Sequence, residues 1–372
     1  MATQTPPTDA RTLRDTFDAA EPLTVGVEEE LMLLDPETLD LAPLAPTVLD
    51  RLNGDARFKL ELPAAQLEIA LPPARSVADL GVGLAAARRD AAVAADGLAL
   101  LAGAGLHPFA SAEGELNPGP RYEQIEREYG AVARRQLLFA FQVHVAVGGA
   151  DRTLAVYNAL RAHLPELAAL AANAPFYEGR DTGFASFRPI VAGMLPRQGM
   201  PPRIESWEAW ADDLRWASRA GRMPTPSQWW FELRPHPVFG TLELRVPDTQ
   251  ATVREALAIA AVAHALVARL LEHPRDGVAS WRIEENRWVA ARHGLDGEFA
   301  ELVIGEPVPV RERLRALLDE LEPFADSLGA AQEFAFAREM TEANGAMRVR
   351  DAAGGDPRRA ARWLTDRFLD GC

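Results

Sequence analysis

The chain has 372 residues, 48% hydrophobic and 25% charged, proportions of a soluble globular protein and too apolar for a chain disordered throughout. Acidic residues outnumber basic ones, 54 to 39, and the net charge of −15 excludes the basic balance expected of a nucleic-acid binder or of a partner for other polyanions. The one cysteine, Cys372, excludes an internal disulfide and any cysteine-based metal site, and no stretch offers the 18 clean apolar residues of a membrane span.

Residues 1–20 read as a loose leader without the apolar segment of a signal peptide, so a cytoplasmic location is expected. Residues 24–34 read as a strand ended by Asp35 and Pro36, and 56–62 and 66–71 as two shorter strands around Pro63. Ser76 and Asp79 have capping-box spacing and open an alanine-rich helix to about residue 101. Residues 120–137 read as a helix with Pro120 in the first turn, 139–148 as a strand stopped by two glycines, and 152–172 as a helix. A loop-rich stretch, 173–227, follows. Strands at 229–234 and 240–246 are separated by a connection of hairpin length, then a long helix fills 250–272. From about residue 305 the chain is helical and highly charged. Strands and helices do not alternate regularly, which favours an α+β fold: an antiparallel sheet with helices on one face.

Sorting each strand by its period of two separates the faces. In 24–34, Val25, Val27, Glu29, Leu31 and Leu33 share one side, and Glu28 and Glu30 share the other, roughly 6–7 Å apart along the strand. In the remaining strands, Glu61, Glu68, Gln142, His144, Glu232, Arg234, Glu243 and Arg245 all oppose an apolar set. An ordinary antiparallel sheet with one wet side also alternates in this way. Such a face carries few serines or threonines here, however, and four or more carboxylates repel one another unless cations sit among them. Hard divalent cations take oxygen ligands, and Mg²⁺ favours a few carboxylates plus substrate phosphates. Lys59 is the only lysine among the 39 basic residues, so an anion site must be built from arginine, whose planar fork matches carboxylate and phosphate. Acids, metal and arginine on one face point to nucleotide-dependent phosphoryl transfer.

The same residues carry a resemblance. The runs 24–30 (TVGVEEE), 105–109 (GLHPF), 121–122 (RY), 142–145 (QVHV), 169–175 (ALAANAP), 181–189 (DTGFASFRP), 234–235 (RP), 239–246 (FGTLELRV) and 286–288 (NRW) resemble, in order, the blocks of the YbdK-type carboxylate-amine ligases, the glutamate–cysteine ligase type 2 family. The resemblance implies a glutamine-synthetase-like fold, a curved antiparallel sheet forming a funnel with helices packed on its outer face. It implies a ligase domain over 21–304 with a helical extension over 305–372 packed on it. It also implies ATP-dependent amide-bond formation between glutamate's side-chain carboxylate and an amine such as cysteine's, through an acyl phosphate.

By the same resemblance Mg²⁺ or Mn²⁺ is held by Glu28, Glu30, Glu68 and Glu243, with Glu61 and His144 as further ligands. Glu243 and Arg245 are expected at the transferred phosphoryl, with Arg234 beside the nucleotide, and Arg188 as a clamp for a substrate carboxylate. Gln142, Asn173, Tyr177 and Asp181 complete the expected substrate set. Gln142 stands where the family often has a first histidine, which bears on the acceptor amine. The expected partners are small amino-acid substrates, not nucleic acid or membrane, and the sequence leaves homo-oligomer formation open. A metal-dependent amide or phosphate hydrolase, or a silent amino-acid-binding relative, would share the acidic face. The absence of a G-x-x-x-x-G-K-[ST] loop means that nucleotide is bound through metal and arginine.

Overall fold

The computed structural model describes residues 9–372 except 224. Helix α1 (Ala10–Asp18) is capped by Asp9, which accepts a hydrogen bond from the Thr12 amide at 2.9 Å. Leu13 and Phe17 are fully buried, and the Phe17 ring lies 4.7 Å from that of Trp207. From residue 10 onward the expected loose leader is thus an ordered helix, held by two apolar residues one turn apart; residues 1–8 lie outside the described residues.

The chain continues as β1 (Val25–Leu34), α2 (Ala45–Arg51), β2 (Phe58–Leu60), β3 (Gln66–Ala70), α3 (Val77–Ala95), β4 (Leu100–Ala102), α4 (Pro120–Tyr129), α5 (Ala131–Arg134), β5 (Phe141–Ala146), α6 (Ala150–Leu160) and α7 (Leu164–Leu170). There follow β6 (Phe176–Tyr177), β7 (Arg180–Asp181), α8 (Arg188–Ala192), α9 (Trp207–Arg219), β8 (Leu233–His236), β9 (Thr241–Leu244), α10 (Val253–Glu272) and α11 (Ser280–His293). The last elements are β10 (Glu298–Ala300), β11 (Pro307–Pro309), α12 (Val310–Ser327), α13 (Ala331–Met340), α14 (Gly345–Ala353) and α15 (Pro357–Arg367).

Further expectations are corrected, beginning with the strand expected over 229–234, which starts only at Leu233. Helix α3 stops at Ala95, and residues 100–102 of the same apolar run instead pair with β1; a short apolar run reads either way until a strand edge claims it. The helix expected over 120–137 breaks at Gly130, whose φ of +55° only glycine adopts freely. The helix expected over 152–172 is two helices, parted where Pro165 opens the second. The loop-rich stretch hides α9, capped by Ser206 and burying Trp207, Trp210, Ala211, Leu214 and Ala217 at helical spacing.

The main sheet runs β2-β3-β1-β5-β9-β8, antiparallel throughout, with β4 also paired to β1. Its register aligns Lys59 with Glu68, Glu68 with Glu30, Glu28 with Gln142, and His144 with Glu243, which in turn faces Arg234. Directly opposed residues share a face, so the polar side inferred from alternation is one continuous surface. The apolar side, with Val27, Leu31, Val143, Val145, Leu242 and Leu244, belongs to a single buried core. Helix α10 covers it, a largely buried alanine-rich helix whose N-terminus carries a full capping box between Thr252 and Glu255. Helices α3, α6, α12 and α13 pack around α10, and α15 packs against β4.

Glu29 breaks the apolar pattern of β1. It is fully buried, and Arg88 of α3 grips it with two hydrogen bonds of 2.6 and 2.9 Å. The remaining guanidinium donors reach the carbonyls of Gln250, Ala251 and Phe368 at 2.9–3.1 Å. One arginine therefore ties the central strand, the start of α10 and the C-terminal segment together beneath the sheet.

Candidate active site

The polar face of the sheet gathers the acids that the sequence singled out. One ligand atom each from Glu28, His144 and Glu243 lie within 4.8 Å of one another, close enough to share one cation. His144 Nδ1 is fixed by a 3.0 Å hydrogen bond with Thr241 Oγ1. Its Nε2 is buried, has no hydrogen-bond partner among the described residues, and lies 3.9 Å from Glu28 Oε2. A buried nitrogen left unpaired beside two carboxylates is the arrangement a divalent cation satisfies. The two carboxylates suit a hard divalent cation such as Mg²⁺ or Mn²⁺, and the imidazole adds a nitrogen donor that transition metals accept more readily than Mg²⁺.

Electrostatics divides these acids. Burial raises the Glu28 carboxyl, but the adjoining His144 ring and the Lys59 ammonium outweigh it and bring the pKa down to about 2. Glu243 is completely buried; burial is overcome by Arg234 and Arg245, which hold it well below the usual carboxylate range. Arg234 Nε bonds its Oε2 at 2.5 Å, and Arg245 bonds its Oε1. Each oxygen keeps a second lone pair for a cation.

Glu30 and Glu68 go the other way. Burial, with the charge of Glu61, pushes Glu30 up to about 7. Burial, with Glu28 and Glu61, pushes Glu68 well above the ordinary value. Glu30 accepts hydrogen bonds from the Ala140 amide at 2.6 Å and from Gln142 Nε2 at 3.0 Å. Glu61 sits just past β2, 3.7 Å from Arg121. An excess of buried negative charge that nothing fully neutralises is again what added cations relieve.

A cavity of about 620 Å³ opens beside this face, lined among others by Glu30, Glu61, Arg121, Arg188, Trp230, Glu232 and Arg245. Gln142 is held at both ends, donating to Glu30 and accepting from Arg245 Nη1 at 2.5 Å, so it fixes Arg245 at the cavity wall. Arg188 also reaches the wall, but its Nε is bonded to Asp248 at 2.7 Å and its Nη2 to backbone carbonyls of residues 245–247. A ligand would find only its Nη1 outside these bonds.

The remaining substrate candidates stand apart from the cavity lining. Asn173 is fully buried, its amide nitrogen bonded to the carbonyls of Gly103 and Thr249, a brace between loops. Asp181 is paired with Arg350 on the surface at 2.7 Å. The Tyr177 ring packs against Phe187, centroids 5.3 Å apart, in a small apolar cluster.

Sequence reasoning left several neighbours unassigned. His236 stacks on Phe239, centroids 4.2 Å apart, and lies 5.6 Å from the His144 ring; burial drives its pKa down to about 3. It shares the period of Arg234 and could have been read from that alternation. Glu232 was placed on this face and lines the cavity, but its carboxylate is already held by Arg287 at 2.6 and 2.7 Å, a partner that α11 supplies. Lys59 lies one period before Glu61, facing Glu68.

A sheet of this topology, with helices on one face and an acid-and-arginine face on the other, is the fold of the glutamate–cysteine ligases. The structure superimposes on a glutamate–cysteine ligase of Francisella tularensis in complex with AMP, with a TM-score of 0.73 at 12% identity, covering 95% of this chain and 90% of that one. It also matches a bifunctional glutathione synthetase from Pasteurella multocida, with a TM-score of 0.64 at 14% identity, covering 96% of this chain and 53% of that one. In sequence, the glutamate-cysteine ligase family 2 matches residues 24–361. A putative glutamate–cysteine ligase 2-3 of Rubrobacter xylanophilus is 39% identical, over 92% of this chain and 93% of its own length. A putative glutamate–cysteine ligase 2 of Thermobifida fusca is 36% identical, over 85% and 83%. The chain belongs to glutamate–cysteine ligase family 2, and so to the ATP-dependent carbon–nitrogen ligases. Among the described residues no helix is long and apolar enough to cross a membrane.

Proposed function

We propose that this chain couples the side-chain carboxylate of glutamate to the amine of cysteine or a related amine through an acyl phosphate. A carboxylate oxygen attacks the γ-phosphorus of ATP and ADP leaves; the amine nitrogen then attacks the acyl carbon, loses its proton and displaces phosphate. The observation that carries the reading is the convergence of Glu28, His144 and Glu243, with Arg245, which bonds Glu243, itself lining a cavity of about 620 Å³.

Glu28, His144 and Glu243 would hold Mg²⁺ or Mn²⁺, with Glu30, Glu61 and Glu68 as further oxygen donors. When bound, the ion supplies charge neutralisation for the phosphates. Arg245, aimed by Gln142 and Glu243, stabilises charge on the transferred phosphoryl, and Arg234 stiffens Glu243 from the other side. Arg188 offers its remaining edge to a substrate carboxylate. Residues 21–304 contain all of these side chains, and α12 and α13 buttress α10 on the apolar side of the sheet.

The test is an assay of the whole protein with ATP, Mg²⁺, glutamate and cysteine. The reading predicts one ADP and one phosphate for each amide formed. Hydrolysis of an amide or phosphate ester without nucleotide would contradict it.

A further inference from the structure

Most acids of this sheet that meet a cation are gripped tightly by arginine, while Glu61 lies 3.7 Å from Arg121 and two others face a lysine. Glu29 is held by Arg88, Glu243 by Arg234 and Arg245, Glu232 by Arg287, and Asp248 by Arg188, each through a charge-assisted hydrogen bond of 2.9 Å or less. Glu28 and Glu68 are instead faced by Lys59, the single lysine of a chain with 39 basic residues. Its Nζ lies 3.2 Å from Glu68 Oε1 and 3.8 Å from Glu28 Oε1, looser than the arginine pairs.

The placement is asymmetric. The Lys59 side chain is 48% exposed, whereas those of Glu68 and Glu28 are 5% and 17% exposed. The ammonium reaches in from solvent, from β2 across β3 to β1, toward the buried Glu68 and the half-buried Glu28. Glu28 is at the same time a member of the Glu28–His144–Glu243 cluster. The ammonium lies by Oε1 of Glu28 and the His144 ring by its Oε2, so the ammonium and a divalent cation would draw on one carboxylate and repel each other across it. A guanidinium clamped by two hydrogen bonds would not yield; a compact ammonium on a flexible four-carbon stem, with free water beside it, can.

We propose that Lys59 is a built-in counter-ion of the acid cluster, pairing with Glu28 and Glu68 until a divalent cation displaces it from Glu28. This rests on the divalent-cation reading of the site. Lys59 keeps the acid face compact before loading, weakens cation binding by competing for it, and stays close enough to accompany the phosphates that arrive with the ion.

The competition has a sign that opposes a purely structural role. If Lys59 merely positioned the ligands, removing it would weaken cation binding; as a competitor, its removal tightens it. The experiment is Mn²⁺ titration of the full-length protein without nucleotide, following free Mn²⁺ by electron paramagnetic resonance, for wild type, Lys59→Met, Lys59→Gln and Lys59→Arg. Met and Gln are expected to tighten Mn²⁺ roughly three- to tenfold, the size of a partly exposed ion pair. Arg, which can grip both carboxylates at once, is expected to weaken it. In thermal unfolding, Met and Gln should lower the melting temperature in chelator and lose that deficit in Mn²⁺. Unchanged or weaker Mn²⁺ binding by both Met and Gln, with wild type binding normally, would overturn the role of Lys59 alone. Failure of wild type and every variant to bind Mn²⁺ would overturn the cation reading together with it. Because the side chain is half exposed, folding of the variants can be confirmed directly by circular dichroism.

Discussion

Glu28, Glu29 and Glu30 are consecutive on one strand and live in two different worlds. Glu29 faces the core, and its carboxylate is matched by one arginine that also satisfies three backbone carbonyls. Glu28 and Glu30 face the opposite side, where burial and neighbouring charges drive their pKa values apart, to about 2 and about 7. A buried acid with a complete set of partners is architecture. Acids set close together, one lining a cavity and another beside an unpaired imidazole nitrogen, are poised for something that is not part of the chain.

The comparison predicts its own largest effect on the core side. Arg88→Met leaves Glu29 buried and unpaired and should cost about 3–5 kcal/mol of stability, read by denaturant unfolding; replacing Glu29 and Arg88 together by apolar residues should recover much of that loss. A cost below about 1 kcal/mol would mean that the pair is dispensable and the contrast is false.

On the site side the order reverses. Glu28→Gln should lower ATP-dependent amide formation by about a hundredfold or more, which is about 3 kcal/mol in the barrier, while unfolding shifts by no more than about 1 kcal/mol. Loss of stability on the scale of Arg88→Met with activity retained would place Glu28 with the architecture.

Glu30 sharpens the contrast through pH. Its folded pKa lies above its unfolded one, so between about pH 4.5 and pH 7 the folded protein holds a proton that the unfolded chain releases. Stability of the metal-free protein from this group is therefore full below that window and is lost as pH rises through it, by up to about 3 kcal/mol. Glu30→Gln should flatten that part of the profile. Over the same window Mn²⁺ affinity should rise, because the cation replaces the proton. An unchanged profile in the variant would remove Glu30 from the account.

The smallest effect belongs to Asp181, whose pair with Arg350 is partly exposed. Asp181→Ala should change stability by about 1 kcal/mol or less and leave kcat/KM for ATP and both substrates unaltered. A selective rise in KM for one amino acid would restore it to the substrate set.

Much of this arrangement is legible in the sequence because a strand allows only two faces. The alternation in 24–34, 142–147 and 241–246 groups Glu28 with Glu30 and Glu243 with Arg245; the register sets His144 against Glu243 and Glu28 against Gln142, and Arg245 joins them by its bonds to Gln142 and Glu243. Glu29 defeats the same logic, since its partner Arg88 arrives from a helix 59 residues away. Nothing local reveals that Asp248 will hold one edge of Arg188, or that the carbonyl of Thr249 will hold the Asn173 side-chain amide. Helix α9 is hidden in the sequence by proline- and glycine-rich flanks, although Trp207, Trp210, Ala211, Leu214 and Ala217 keep a helical period. Lys59 carried a signal in its singularity, but the signal acquires a meaning only when β2 sets it against Glu68.

The central claim, that the polar face gathers a divalent cation for ATP, is tested most directly by manganese anomalous scattering. Crystals grown with Mn²⁺ and a non-hydrolysable ATP analogue are predicted to show a peak within bonding distance of Glu28, Glu243 and His144 Nε2. A well-ordered nucleotide whose manganese lies away from all three side chains would contradict the account.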